Sequence, residues 1–267
     1  MKIAHSGIFS SLKNLTLFSQ NERLMATPFS PTRQDVERYR RLRALSTELN
    51  SRIVKTIPRH TYEEVGDAIG IRRNGVLVFE NEDMTGVLMD CCLHDWFEDG
   101  KNLVQRYAET HSEAPETDES YLLSAYTQAK YRVILTLSSV LDAGVHCRDV
   151  LNNEDLFLMD LAMSRSLGSG EARRGTALAT RTITLGEYWM TTGAFLPIPS
   201  KEVFQKAIIR ADSAKHELLQ GPGGVALSIV RACLASGAAE HVAYEPVKTQ
   251  SRRPRIEPRF QFKRRRR

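Results

Sequence analysis

A chain of 267 residues, 42% hydrophobic and 26% charged, is composed like a soluble globular protein and is long enough to bury a real core. Ten Lys/Arg and one acidic residue lie between Lys248 and Arg267, a net of +9; the whole chain is +5, so everything before Lys248 sums to −4. No apolar run approaches the roughly 18 residues of a membrane span, and cysteines at 91, 92, 147 and 233 make no spaced disulfide framework, which implies free thiols in a reducing, cytoplasmic compartment.

Residues 1–30 carry no sustained period and are expected to be disordered. His5, Ser6, Lys13 and Asn14 interrupt any signal-peptide core, and Met25 offers an alternative start to Met1. A helical domain is predicted over 31–110. Pro31 and a Thr32/Asp35 capping box open its first helix. Val36, Tyr39, Leu42, Leu45, Leu49 and Ile53 form one apolar face, with Arg38, Arg40, Arg41 and Arg43 opposite, and Pro58 ends it. Thr61 and Glu64 signal a second cap, for a short helix that Gly70 closes. Asn74-Gly75 is a turn, and Val76 to Phe79 reads as a short buried strand. Met84, Val87, Leu88, Cys91 and Cys92 fall at i, i+3, i+4, i+7 and i+8, so a helix is predicted to about Phe97. Asp99-Gly100 breaks it, and Leu103, Val104 and Tyr107 begin another. The acidic stretch 111–118, with Pro115, is read as a linker and domain boundary.

A second domain is predicted over 119–200. After a helix from about Glu119 to Lys130 come five short runs: 131–140, 145–150, 155–160, 177–184 and 187–196. Turn residues separate them at intervals of about ten, which suggests a small antiparallel barrel. Ser200 caps a helix carrying Phe204, Ala207, Ile208, Ala211 and Leu218, Gly221 to Gly224 stop it, and a last helix spans Val225 to Leu234; these C-terminal helices fill 201–246, and 247–267 is a disordered basic tail. The fold class is α+β: a helical N-terminal half, a barrel of about five strands, then the C-terminal helices and tail.

Chemistry is sparse. Asp90, Cys91, Cys92, His94, Asp95 and Glu98 form the richest cluster, and Asp90 and His94, four apart, share a helix face where a metal is conceivable. The further His and Asp ligands of a metal-dependent hydrolase are not evident, and the polar members are assigned to the solvated side of the helix. His146 and Cys147 are neighbours on a strand and point to opposite faces, so they do not form a Cys/His pair. Gly168-Ser169-Gly170 with Arg173, Arg174 and Gly175 is a glycine-rich inter-strand loop lacking the Lys of a P-loop. Arg165, Arg173, Arg174 and Arg181 are candidates for a cationic rim on the barrel. Tyr188-Trp189 offers either an aromatic platform or, more simply, a Trp189 packed in the barrel core. No catalytic residue, metal ligand or cofactor is assigned.

The tail differs in kind. Lys248, Arg252, Arg253, Arg255, Arg259, Lys263, Arg264, Arg265, Arg266 and Arg267, with Pro254 and Pro258 between them, bury too little apolar surface to fold alone. Phe260 and Phe262 are placed to stack on unpaired bases. Phosphate contacts by about six of these cations would make log K fall against log salt with a slope near −5 on duplex DNA.

The phrases Tyr39-Arg40-Arg41-Leu42-Arg43, Gly75 to Phe79, Val87-Leu88-Met89-Asp90, Arg148-Asp149-Val150-Leu151, Leu178-Ala179-Thr180-Arg181 and Met190-Thr191-Thr192-Gly193-Ala194 resemble an uncharacterised family of bacterial proteins, over about residues 35–200. The β part is also similar to segments of bacterial proteins that end in a SEC-C zinc motif. That motif needs a cysteine cluster, and only Cys233 lies in the last third of this chain, so no zinc binding carries over. The resemblance implies a bacterial, cytoplasmic protein and supplies no activity. The leading expectation is a non-enzymatic protein that contacts nucleic acid or a ribonucleoprotein through its tail and the arginines of the barrel rim. The alternatives are a protein–protein adaptor using the acidic helical half and an exposed barrel edge, and a metal-dependent hydrolase centred on Asp90 and His94.

Overall fold

The structure is a computed structural model that describes residues 29–80, 82–111, 114, 116–167, 177–198, 200–206 and 224–237. The N-terminal segment before Phe29, the 168–176 stretch with Arg173 and Arg174, residues 207–223 and the basic tail lie outside them.

Helix α1 (Arg33–Val54) opens on the expected capping box: the Thr32 hydroxyl accepts from the Asp35 N–H, and the Asp35 carboxylate accepts from the Thr32 N–H. Its buried stripe is Tyr39, Leu42, Ser46, Leu49 and Ile53. Helix α2 (Arg59–Ile69) begins three residues earlier than a Thr61 cap predicted. Pro58, fixed near φ −63° and lacking an N–H, supplies the entry, and Thr61 is buried inside the helix. Gly70, left-handed at φ 81°, closes it.

Asn74 and Gly75, at φ 53° and 79°, turn the two-residue strands β1 (Arg72–Arg73) and β2 (Val76–Leu77) into a tight hairpin. The expected buried strand is not buried: Val76 is 64% and Phe79 41% exposed, because a two-residue arm has no second layer over its outer face. Helix α3 (Glu82–His94) carries the predicted apolar stripe. It stops short of Phe97, which instead pairs in a second hairpin, β3 (Phe97–Glu98) with β4 (Lys101–Asn102), around Asp99-Gly100. Helix α4 (Leu103–Thr110) has an Asn102/Gln105 capping box, and Thr117 caps helix α5 (Asp118–Thr127).

Five strands follow: β5 (Lys130–Val140), β6 (Gly144–Asp149), β7 (Glu154–Met159), β8 (Ala177–Thr184) and β9 (Trp189–Pro197). They close into a barrel in the order β5-β6-β7-β9-β8. Four junctions are antiparallel, and β7 pairs with β9 in parallel through Leu158 and Trp189. A wholly antiparallel barrel of five was never available, since a closed ring with an odd number of strands must contain a parallel pair. Closure also removes the free edge an adaptor would use for strand addition. Helix α6 (Leu161–Leu167), between β7 and β8, was not foreseen. Its signal was Asp160, whose carboxylate accepts from the Met163 N–H.

Alternation along the strands sorts two sets of side chains. Ile134, Val145, Cys147, Leu156, Leu158 and Leu178, with Met163 of α6, fill the barrel interior. Val133, Phe157, Met159, Ala179, Ile183, Met190 and Leu196 point outward into one cluster with the helices, running from Tyr39 to Cys233. Strand β8 is therefore buried from Leu178 to Ile183 on both faces. Ser200 caps a helical turn at 201–206, its hydroxyl accepting from Val203, and helix α7 (Gly224–Ala235) packs on α2 and α3. All four cysteines are buried free thiols. Among the described residues no helix is long and apolar enough to cross a membrane.

Candidate functional site

Of the cluster singled out around the end of α3, only Glu98, on β3 and paired with Arg106, faces solvent. His94 and Asp95 are buried, and Asp90 is nearly so, because this end of α3 lies against the outer wall of the barrel. Their partner is Arg181 of β8, also buried. Its Nε donates to Asp90 Oδ2 at 2.9 Å and its second amino group to the Asp95 carboxylate. Thr192 of β9 donates to Asp90 Oδ1 at 2.7 Å, and the Tyr131 ring of β5 lies 5.2 Å from the guanidinium. One arginine thus holds a carboxylate of α3, and the one that follows its last residue, to three barrel strands. The expected places of Asp90, His94 and Asp95 on the solvated side, and of Arg181 on the rim, are corrected by this pairing: two carboxylates and a guanidinium satisfy one another where none is buried well alone.

The arrangement has the electrostatics of a clamp. Burial raises Asp90, but Arg181, His94 and the hydrogen bonds from Thr192 and Arg181 outweigh it and hold the carboxyl below its usual range. Burial pushes Asp95 up to about 7 against the pull of Arg181. Burial and the neighbouring guanidinium depress His94 to about 3, so its imidazole is neutral. Burial and the two acids raise Cys91 well above a reactive thiol. A cavity of about 10 Å³ beside Asp90, Cys91 and Tyr131 has room for at most one water. A substrate finds no space there, and a cation would have to displace Arg181. The hydrolase reading loses its centre.

His94 makes stability pH-dependent, with a definite sign. Its folded value is depressed, so below about pH 6.5 the unfolded chain takes up a proton that the folded chain refuses, and stability is lost as pH falls towards 3. Asp95, raised in the fold, acts in the opposite sense between about pH 4 and 7. Comparison with His94→Leu isolates the histidine. The stability of the wild type relative to this variant should grow by about 1 kcal/mol per pH unit from pH 4 to 6.5, then level off. Urea unfolding at several pH values measures it, and a difference independent of pH would refute the buried neutral imidazole.

The other barrel arginines are also engaged. Arg132, buried, donates to Asp149 and Glu154 and stands 5.9 Å from the half-buried Trp189 ring, which packs on the barrel core. Arg148 pairs with Asp155, and Arg165, exposed, with Asp142 at the β5–β6 turn. Of the proposed rim, Arg173 and Arg174 lie outside the described residues, as do all the tail cations. Cys147 and His146 do point apart: the thiol lies inside the barrel, and the imidazole lies outside at 4.8 Å from Phe157. Tyr188 is buried on the outer side, 5.9 Å from the Phe29 ring, which also lies 5.2 Å from Phe157. This aromatic group was not assembled from sequence, since its members come from three separate segments.

No curated protein and no solved structure matches the chain. A family profile does, described as a family of unknown function (DUF7986), over residues 33–211. That span begins at the first residue of α1, includes the Asp90–Arg181–Asp95 clamp and the whole barrel, and ends before the basic tail. With about two thirds of its length matched, the chain belongs to this family of unknown function.

Proposed function

We propose that the protein is a non-enzymatic nucleic-acid-binding protein that grips the phosphate backbone through Arg252, Arg253, Arg255, Arg259 and Lys263 to Arg267, with Arg173 and Arg174 as a second contact. The observation that carries this reading is the segregation of charge: +9 on the last twenty residues against −4 on the rest. The arginines of the barrel strands and α6 that the structure describes, Arg132, Arg148, Arg165 and Arg181, are each paired with a carboxylate, so the tail carries the densest run of cations in the chain. The barrel adds support by analogy. An order of 1-2-3-5-4, a parallel third–fifth pair and a helix between the third and fourth strands make up the connectivity of the OB-fold, a common scaffold for oligonucleotides.

Fluorescence anisotropy with labelled single- and double-stranded oligonucleotides, on the full chain and on a chain lacking Lys248 to Arg267, tests the reading. At low salt the deletion should weaken binding to both probes by at least about 100-fold. Equal affinity of the two proteins would rule the tail out.

A further inference from the structure

Resting on the nucleic-acid reading above, we infer that the outer face formed by His146, Phe157 and Tyr188 is a stacking site for one unpaired base, and that the Phe29 side chain occupies it in the unliganded protein.

Three observations carry this. Phe157 on β7 and Tyr188 in the β8–β9 loop are each only 2% exposed, and the ring between them belongs to Phe29, at 5.2 and 5.9 Å. His146, directly across from Phe157 in the β6–β7 register, closes that side of the platform edge-on. The Tyr188 hydroxyl is buried and has no hydrogen-bond partner among the described residues. A phenylalanine ring cannot satisfy that hydroxyl, whereas the carbonyls and ring nitrogens of a base accept from it. The charges of Arg38 and Arg41 of α1, with those of Asp35 and Tyr121, act electrostatically on Tyr188. Arg38, half-buried, lies over the exposed Tyr121 ring, and Arg41 pairs with Asp118 at the surface, so a phosphate can compete for both against contacts that are at least partly solvated.

Phe29 suits a removable occupant. It precedes the Thr32 cap by three residues and is no part of the capping box, so α1 keeps its N-terminal bonds when the ring leaves. Base–aromatic stacking is strong enough to compete with it and is tolerant of sequence. A self-occupied site lowers apparent affinity by the fraction of molecules in which it is open.

The test uses full-length protein, an oligo-dT strand and a duplex of equal length, at one fixed salt concentration. Phe29→Ala should tighten single-strand binding about 5- to 10-fold and leave the duplex unchanged; Phe29→Leu, which keeps more apolar cover, should give a smaller gain if the alanine variant folds poorly. Adding Phe157→Leu to Phe29→Ala should abolish the gain. Tail-dependent binding with an unchanged ratio of single-strand to duplex affinity in both Phe29 variants would overturn this inference alone. Equal gains on both probes would overturn it too, since stacking needs an unpaired base. Failure of wild type and Phe29→Ala alike to bind either probe would overturn it together with the reading on which it rests.

Discussion

Arg181→Leu should destabilise the protein by about 3–5 kcal/mol, among the largest single-residue losses expected in the chain. The substitution adds apolar bulk where apolar bulk is welcome, so the loss comes from what it leaves behind. Asp90 and Asp95 would face each other in a wall that also holds Cys91, with only Thr192 still donating to Asp90. Without the pull of Arg181, Asp95, already raised to about 7 in the intact cluster, would rise further, so proton uptake softens the penalty most in acid and the penalty grows as pH rises. Arg181→Lys should recover only part of the loss, because an ammonium lacks the fork that reaches both carboxylates. Replacing all three charges with leucine, by contrast, should bring stability back to within about 2 kcal/mol of the wild type, as expected when a buried ion cluster is exchanged for packed hydrocarbon. Urea unfolding at pH 8 decides the matter. An Arg181→Leu protein as stable as the wild type would mean that α3 is held to the barrel by its apolar stripe alone.

Gly144→Ala should be the second large loss, about 3 kcal/mol, through sterics rather than charge. Gly144 starts β6 opposite Met159, and a Cβ placed there would stand 2.2 Å from the Leu158 carbonyl oxygen and 2.9 Å from the Met159 Cα. Both are backbone atoms of β7, so no rotamer change relieves the clash. The first β6–β7 pair must open, and with it the strand that carries the parallel junction to β9. Gly86, in the middle of α3, is the matched control. An added Cβ there meets nothing within 4 Å, and its replacement by alanine should stabilise the helix by up to about 1 kcal/mol. Thermal unfolding of the two variants should move in opposite directions.

Secondary structure was largely legible because its signals are local. The Thr32/Asp35 box, Gly70, the turn at Asn74-Gly75, the helix break at Asp99-Gly100 and the five strands all announce themselves within a few residues. Errors came where a local signal competes with another. Pro58 overrode Thr61 as a helix start, and Asp160 capped a helix too short to show a period. The candidate site failed for a different reason. Asp90 and Asp95 looked like surface residues because charged side chains seldom lie fully buried without a partner, and their partner stands roughly ninety residues away on β8. Nothing near Arg181 in sequence distinguishes it from a rim arginine. The meeting of Phe29, Phe157 and Tyr188 is equally non-local. What sequence does reveal without tertiary information is the charge segregation, and the proposed function rests on it.

The salt dependence of binding tests that proposal most directly. For the full-length protein on duplex DNA, log K against log salt should be linear with a slope near −5, corresponding to about six neutralised phosphates, and the slope should shrink to about −2 or less in magnitude, what Arg173 and Arg174 can supply, when Lys248 to Arg267 are removed. A slope that stays the same in the truncated protein would contradict the account, placing the phosphate contacts on the folded body rather than on the tail.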